Sequence, residues 1–400
     1  MSNFRPEGDF SSGVRKRSNE EILLINCAKT QAAKDLIEKF LNPDLDWEYI
    51  IQSALSHRIA PLLYYNLKLA LERSEGKVSA GLVPQRIIEK LRETYIGTLV
   101  HNLLASHELS EILKSLLDAQ IKVILLKGIG LAKTVYPNIA VRPFSDIDLL
   151  ISKEDLHKIE AKLSQFGYDL LYDYRPGFAF QFENKKFYVN RNGVSIDLHW
   201  HVANLPYSKY LAIATFWESA IPVDIEGVDT LVLSPENLLI HLSLHVSEHY
   251  YSQLLWLVDI SEVIHHYSET FDWELLLEKI KRYRIHSLMR YVLRLVKELF
   301  DPPIPSFVLE QLSSYKASSF EARLFDALAN PNITDIKWAI AEFLTLDGMM
   351  PKMRYMFGKL FPSRGFMLNG YPNKNIYSSY YLRVSNVLWE SMKTLLQICT

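Results

Sequence analysis

Two aspartates one residue apart, Asp146 and Asp148 in "VRPFSDIDLLIS" (Val141–Ser152), are the pair whose type and spacing most directly suggest chemistry. In a β-strand, residues two apart project from the same face. These carboxylates therefore stand together while Ile147, Leu149 and Ile151 point the other way, into a core. Like charges a few ångströms apart repel unless a cation lies between them. Hard carboxylate oxygens favour Mg²⁺, with Mn²⁺ as the other candidate. The plainer alternative is a solvent-facing strand that happens to be acidic.

Two further stretches favour the metal. Upstream, "LLKGIG" ends an apolar run at Gly128, where a missing Cβ lets a phosphate or another backbone approach closely, and Lys127 beside it can meet phosphate oxygens. Downstream, "VSIDLHWHV" supplies Asp197 on a segment that can lie beside the first strand. A strand–Gly–helix element, a D-x-D strand and a later strand aspartate together make the ligand set of two-metal phosphoryl transfer. His199 and His201 share Asp197's face, where they would line the cleft, pack beside Trp200 or orient Asp197.

Other signals are weaker. His241, His245 and His249 recur at four-residue steps of a predicted helix, a zinc-compatible spacing. Leu242 stands where an H-E-x-x-H site needs glutamate, so a structural or substrate-side role is expected. The basic run "KIKRYRIHSLMRY" reads as a solvated helix face. The aromatic run "YDYRPGFAFQFENKKFYV" reads as packing in a β-meander, with base stacking as the alternative.

The elements that must position these residues follow from periodicity. Apolar residues recur at helical spacing from Glu20 to about Leu117, and the last helix, from Gln85 to Gln120, is expected to bend or break once. "KVILLKG" then reads as a buried strand, "IGLAKTVYP" as a short helix, "SDIDLLIS" as a strand, and "KEDLHKIEAKLSQFG" as an amphipathic helix stopped by Gly167. "YDLLYDY", "FAFQFEN", "KKFYVNR" and "VSIDLHWHV" read as strands, with a turn at Asn192-Gly193. From "LSPENLLIHLSLHVSEH" onward the pattern is helical again. The expected organisation is a flexible N-terminus (1–19), a helical region (20–116), an α/β core (117–230) and a second helical region (231–400). The fold class is α+β: a small core with a mixed sheet between helical flanks.

Composition sets bounds on the function. The chain has 400 residues, 48% hydrophobic and 22% charged, enough for a substantial core. A formal net charge of −2 gives no global field for polyanions, so no extended DNA footprint is expected. The two cysteines, Cys27 and Cys399, lie near opposite ends, which argues against a disulfide framework and suits a reducing cytoplasm. No stretch reads as a signal peptide or a membrane span, so neither secretion nor a membrane partner is expected.

"LLKGIGLAKTVYPNIAVRPFSDIDLLISKEDLHKIEAKLSQFGY" resembles the uncharacterised nucleotidyltransferase family of the DNA polymerase beta superfamily. There, an LKG strand end and a short helix precede an arginine and a D-[IV]-D-[LF] strand. "LDWEYIIQSALSHRIAPLLYYNL" resembles that family's N-terminal helices, "LSPENLLIHLSLHVSEHYYSQLLWLVDISEVIHH" its later helices, and "LFPSRGFMLNGYP…SYYLR" its C-terminal end. The resemblance implies that Asp146 and Asp148 hold the metals of an NTP such as ATP, with Asp197 completing the site beside the acceptor. Most of the superfamily has Gly-Ser at the strand end. This chain has Lys127-Gly128, so Lys127, Arg142 or Ser145 would take over the phosphate contact. The implied reaction moves an NMP to an unidentified acceptor: a small molecule, RNA or protein. "LKG…R…S-DIDL" also resembles the nucleotidyltransferase toxins of abortive-infection systems, and a catalytically silent nucleotide- or partner-binding protein is the remaining alternative.

Overall fold

The computed structural model describes residues 17–31, 39–73, 82–171, 181–315, 328–329, 335–364, 367, 371 and 375–399. The first helices are α1 (Asn19–Cys27), α2 (Trp47–Ser56), α3 (Ala60–Arg73) and α4 (Gln85–Asp118). Ser18 and Glu21 form a capping box on α1, and Asp46 caps α2. The third helix, expected to bend or break once, does not break: α4 is continuous over 34 residues. No Pro or internal glycine pair interrupts it, and lone Gly97 has open space around it, so nothing forces a kink.

The sheet follows. Its elements are β1 (Val123–Leu125), α5 (Ile129–Thr134), β2 (Asp146–Ile151), α6 (Leu156–Gln165), β3 (Asp169–Leu170), β4 (Lys185–Val189), β5 (Ser195–His199), α7 (Ile213–Glu218), β6 (Ile221–Ile225) and β7 (Val228–Val232). Among the described residues seven strands form one mixed sheet in the order β3-β4-β5-β2-β1-β7-β6. Two readings change. Gln181 and Phe182 of "FAFQFEN" sit in a helical turn rather than a strand, while the start of that segment lies outside the described residues. The β6–β7 hairpin was not foreseen. Its two-residue turn, Glu226-Gly227, has φ of 53° and 79°, as a tight hairpin matching strand twist requires. β7 pairs parallel to β1 and so extends the sheet on the side away from the aspartates.

The last group comprises α8 (Pro235–Glu248), α9 (Leu254–His266), α10 (Trp273–Tyr283), α11 (His286–Phe300), α12 (Ser306–Ser314), α13 (Asp335–Thr345), α14 (Met349–Leu360) and α15 (Ile376–Cys399). The helical flanks, far apart in sequence, share one core: Leu24, Ile50 and Leu62 cluster with Leu239, Val258 and Val292.

The sheet has a core on each side. Ile147, Leu149, Ile151, Ile196 and Leu198 pack with Leu113 of α4 and Ile159 of α6. On the opposite face Leu150 and Ile124 join the helical core. Asp146 and Asp148 lie on Leu150's face, one and two steps further toward the strand's start, where a cleft takes the place of the apolar core. That is why an apolar strand carries two carboxylates on one side.

Candidate active site

Register brings the three aspartates together. β2 and β5 run parallel with Asp148 beside Asp197 and Asp146 beside Ser195. Side chains paired this way point to the same face. β4 lies antiparallel on β5's other edge, placing Phe187 opposite Asp197 and Lys185 opposite His199.

Each buried carboxylate has its own ammonium. Lys127 Nζ donates to Asp148 Oδ2 at 2.6 Å, and Lys185 Nζ donates to Asp197 Oδ2 at 2.9 Å. His199 Nε2 completes Asp148 at 3.0 Å from Oδ1 and stands 4.0 Å from Asp197 Oδ2. Its other nitrogen, Nδ1, is buried without a hydrogen-bond partner. His199 thus orients Asp148 more directly than Asp197. Asp146 is half-buried at the mouth and accepts from Ser145 Oγ at 3.1 Å.

Arg142 is placed differently from a free phosphate ligand. It is buried, and its Nε and Nη2 grip Asp259 of α9 at 3.1 and 2.6 Å, while Tyr136 Oη donates to the same carboxylate. Nη1 donates to the Pro143 carbonyl at 3.3 Å and lies 3.8 Å from where a Cβ on Gly128 would sit. Asn102 of α4 donates to the carbonyls of Ile139 and Arg142, fixing the loop that leads into β2. Gly128 has φ +57° and ψ −111°, and a Cβ there would meet the Asp146 carbonyl oxygen at 3.2 Å. Its own backbone is reason enough for the glycine.

The aspartates open into a cleft of about 230 Å³ whose walls include Arg58, Phe187, His249 and Trp256. His245, His249 and Trp256 form a ring cluster with centroids 4.6 to 5.0 Å apart. The three helix histidines therefore separate: His245 and His249 line the cleft, whereas His241 uses Nδ1 on the Val202 carbonyl at 3.0 Å. His201 pins a loop: its Nδ1 accepts from the Ala203 N–H at 3.2 Å and its Nε2 donates to the Leu211 carbonyl at 3.1 Å.

A family described as uncharacterised nucleotidyltransferases matches residues 43–301, well over half of the chain. The chain belongs to this family. No curated protein and no solved structure matches it. Every cleft residue named above falls inside the family's matched span, and α12 to α15 lie beyond it.

The electrostatics divide the acidic trio. Burial alone would raise Asp148, but Lys127, His199 and Lys185 outweigh it and hold its carboxyl well below the usual range. Burial pushes Asp197 up to about 7, opposed by Lys185 and reinforced by the charges of Asp148 and Asp146. Two neighbouring carboxylates with unequal cationic support lose their protons in separate steps. Burial also lowers His199 to about 4, so its ring is neutral at pH 7.

The donor set suits a divalent ion. Ligand atoms of Asp148, Asp197 and His199 all lie within 4.8 Å of one another, close enough for one cation, and Asp146 adds a hard oxygen on the same face at the open end. An ion must compete there with Lys127 and Lys185. Of the residues that sequence reasoning missed, Lys185 had half a signal: "KKFYV" offers a lysine pair on β4, and the register with β5 decides which of the two faces Asp197. Arg58 and Trp256 had none, because the α2–α3 turn and α9, both distant in sequence from the strands, deliver them.

Proposed function

We propose that this protein transfers an NMP from an NTP to a hydroxyl or phosphate acceptor. The observation that carries the reading is the parallel register setting Asp148 beside Asp197, with Asp146 on the same face and lysines at 2.6 and 2.9 Å. Asp146, Asp148 and Asp197 would hold Mg²⁺ or Mn²⁺, which when bound offsets triphosphate charge and favours an ionised nucleophile. In the transfer the acceptor oxygen bonds to the α-phosphorus, the bond to the β-phosphate's bridging oxygen breaks, and pyrophosphate leaves. Asp197, beside the acceptor, would receive the acceptor's proton directly or through water. Lys127, Lys185 and the Nη1 of Arg142 present fixed positive charge to phosphate oxygens, and Ser145 adds a hydroxyl at the mouth. The cleft falls below the usual range of about 300–1,000 Å³ for ligand sites. It suits the polyphosphate end, leaving the base at the rim near His249 and Trp256.

A second reading has one observation in its favour. Lys127 and Lys185 already balance Asp148 and Asp197 without a metal, as a silent nucleotide-binding site would. Incubation with each α-labelled NTP, Mg²⁺ and cell extract, followed by mass spectrometry, separates the two. Appearance of a nucleotide-bearing product supports transfer, and its absence for all NTPs despite measurable NTP binding supports the silent site. Whether the labelled product is small, RNA or protein identifies the acceptor and tests a toxin-like activity.

A further inference from the structure

Beyond the family's matched span the chain changes character. From Gly348 to Trp389 there is no acidic residue, while Lys352, Arg354, Lys359, Arg364, Lys374 and Arg383 are basic, in a chain whose net charge is −2. The same segment exposes apolar side chains in order. On α14, Met349, Met350, Met353, Met356 and Phe357 are 47% to 73% exposed. At 100° per residue they fall within an arc of about 120°. Tyr355 and Gly358 are buried on the opposite side. Arg354 borders one edge of the arc and Lys352 the other, while Lys359 lies over the Tyr355 ring and pairs with Glu342 at 3.8 Å.

α15 repeats the pattern. Tyr377, Tyr381, Leu388 and Met392 are 50% to 81% exposed and fall within about 60° of one another. The two helices are tied on their other sides, where Arg383 Nε donates to the Lys359 carbonyl at 2.8 Å and Tyr380 Oη to that of Pro362 at 2.5 Å.

We infer that α14 and α15 form a docking surface for an anionic lipid bilayer. An apolar arc bordered by Lys and Arg is what lets a helix lie in the headgroup plane, its apolar side in the acyl boundary and its cations at lipid phosphates. Unbranched methionines adapt to a disordered surface. A second copy of the chain would bring the same positive segment against itself, which opposes self-association through this patch. RNA would answer the charge, and Phe357, Tyr377 and Tyr381 offer rings for stacking, but most of the exposed patch is methionine and leucine, which suit an acyl boundary better than bases. The contact needs no spanning segment, and among the described residues no helix is long and apolar enough to cross a membrane. A peripheral contact of this kind would depart from the sequence-based expectation of no membrane partner.

Flotation of the full-length protein with phosphatidylcholine vesicles, with and without phosphatidylglycerol, tests this. The expected result is partition into the anionic vesicles at least roughly tenfold above the neutral ones, weakened by salt. Met353→Asp with Met356→Asp should abolish it without moving the melting temperature or NTP affinity. Equal partition into both vesicle types, or undiminished binding by the variant, overturns the inference. So does a wild-type dimer that the variant makes monomeric, or retention of single-stranded RNA that the variant loses.

Discussion

Arg142 and Asp259 form a buried two-point ion pair, Nε to Oδ1 at 3.1 Å and Nη2 to Oδ2 at 2.6 Å, which ties the loop before β2 to α9. Both side chains are almost fully shielded from solvent. Removing one partner leaves the other charge buried and uncompensated, at a cost of about 3–5 kcal/mol. Asp259→Ala is therefore expected to lower stability by that order in urea or thermal unfolding. A change below about 1 kcal/mol would indicate an exposed-type pair.

Gly128 gives a prediction of the opposite emphasis to its sequence motif. A glycine ending "LLKG" suggests room for phosphate, so substitution should act on nucleotide binding. The backbone there is left-handed and a Cβ would press on the Asp146 carbonyl oxygen at 3.2 Å. Gly128→Ala is expected to destabilise the fold by about 1–3 kcal/mol. Melting of the nucleotide-free protein checks it, and an unchanged midpoint would show that the backbone does not require glycine.

Asp197 sets a pH dependence. Its proton must leave before an ion can bind, and that proton is held up to about 7. Below that pH, Mn²⁺ affinity measured by paramagnetic resonance should fall about tenfold per unit. Above it, the affinity should level off. Because the Lys185 ammonium lowers Asp197, Lys185→Met should move the break upward. A break unmoved by this substitution would mean that another group titrates.

Much of this site was legible because a strand's two-residue period makes D-x-D a statement about one face, and because "LLKG" and "VSIDL" are short buried strands with clear ends. Lys127, Asp146, Asp148 and Asp197 needed only that logic to be placed together. Register was out of reach. Nothing in "KKFYVNR" says that Lys185 rather than Lys186 faces Asp197, until β4 is known to run antiparallel with Phe187 opposite that aspartate. The destination of Arg142 was equally hidden, since its partner Asp259 lies on a helix over a hundred residues away. The β6–β7 hairpin was missed through its turn: Glu-Gly is a weaker turn signal than the Asn-Gly at 192–193, although both of its residues adopt positive φ.

The same contacts decide which aspartate tests the metal-nucleotide reading. Asp148→Asn would strip the charge that neutralises buried Lys127 and would therefore disturb the fold. Asp146 is half-buried and, among the described residues, its carboxylate accepts from the Ser145 hydroxyl rather than neutralising a buried cation, so Asp146→Asn isolates the chemistry. The measurement is Mg²⁺-dependent transfer of label from an α-labelled NTP in cell extract, wild type against Asp146→Asn, each verified by melting. The prediction is unchanged stability within about 0.5 kcal/mol and transfer reduced by roughly a hundredfold or more. A folded Asp146→Asn protein that transfers label at the wild-type rate would contradict it.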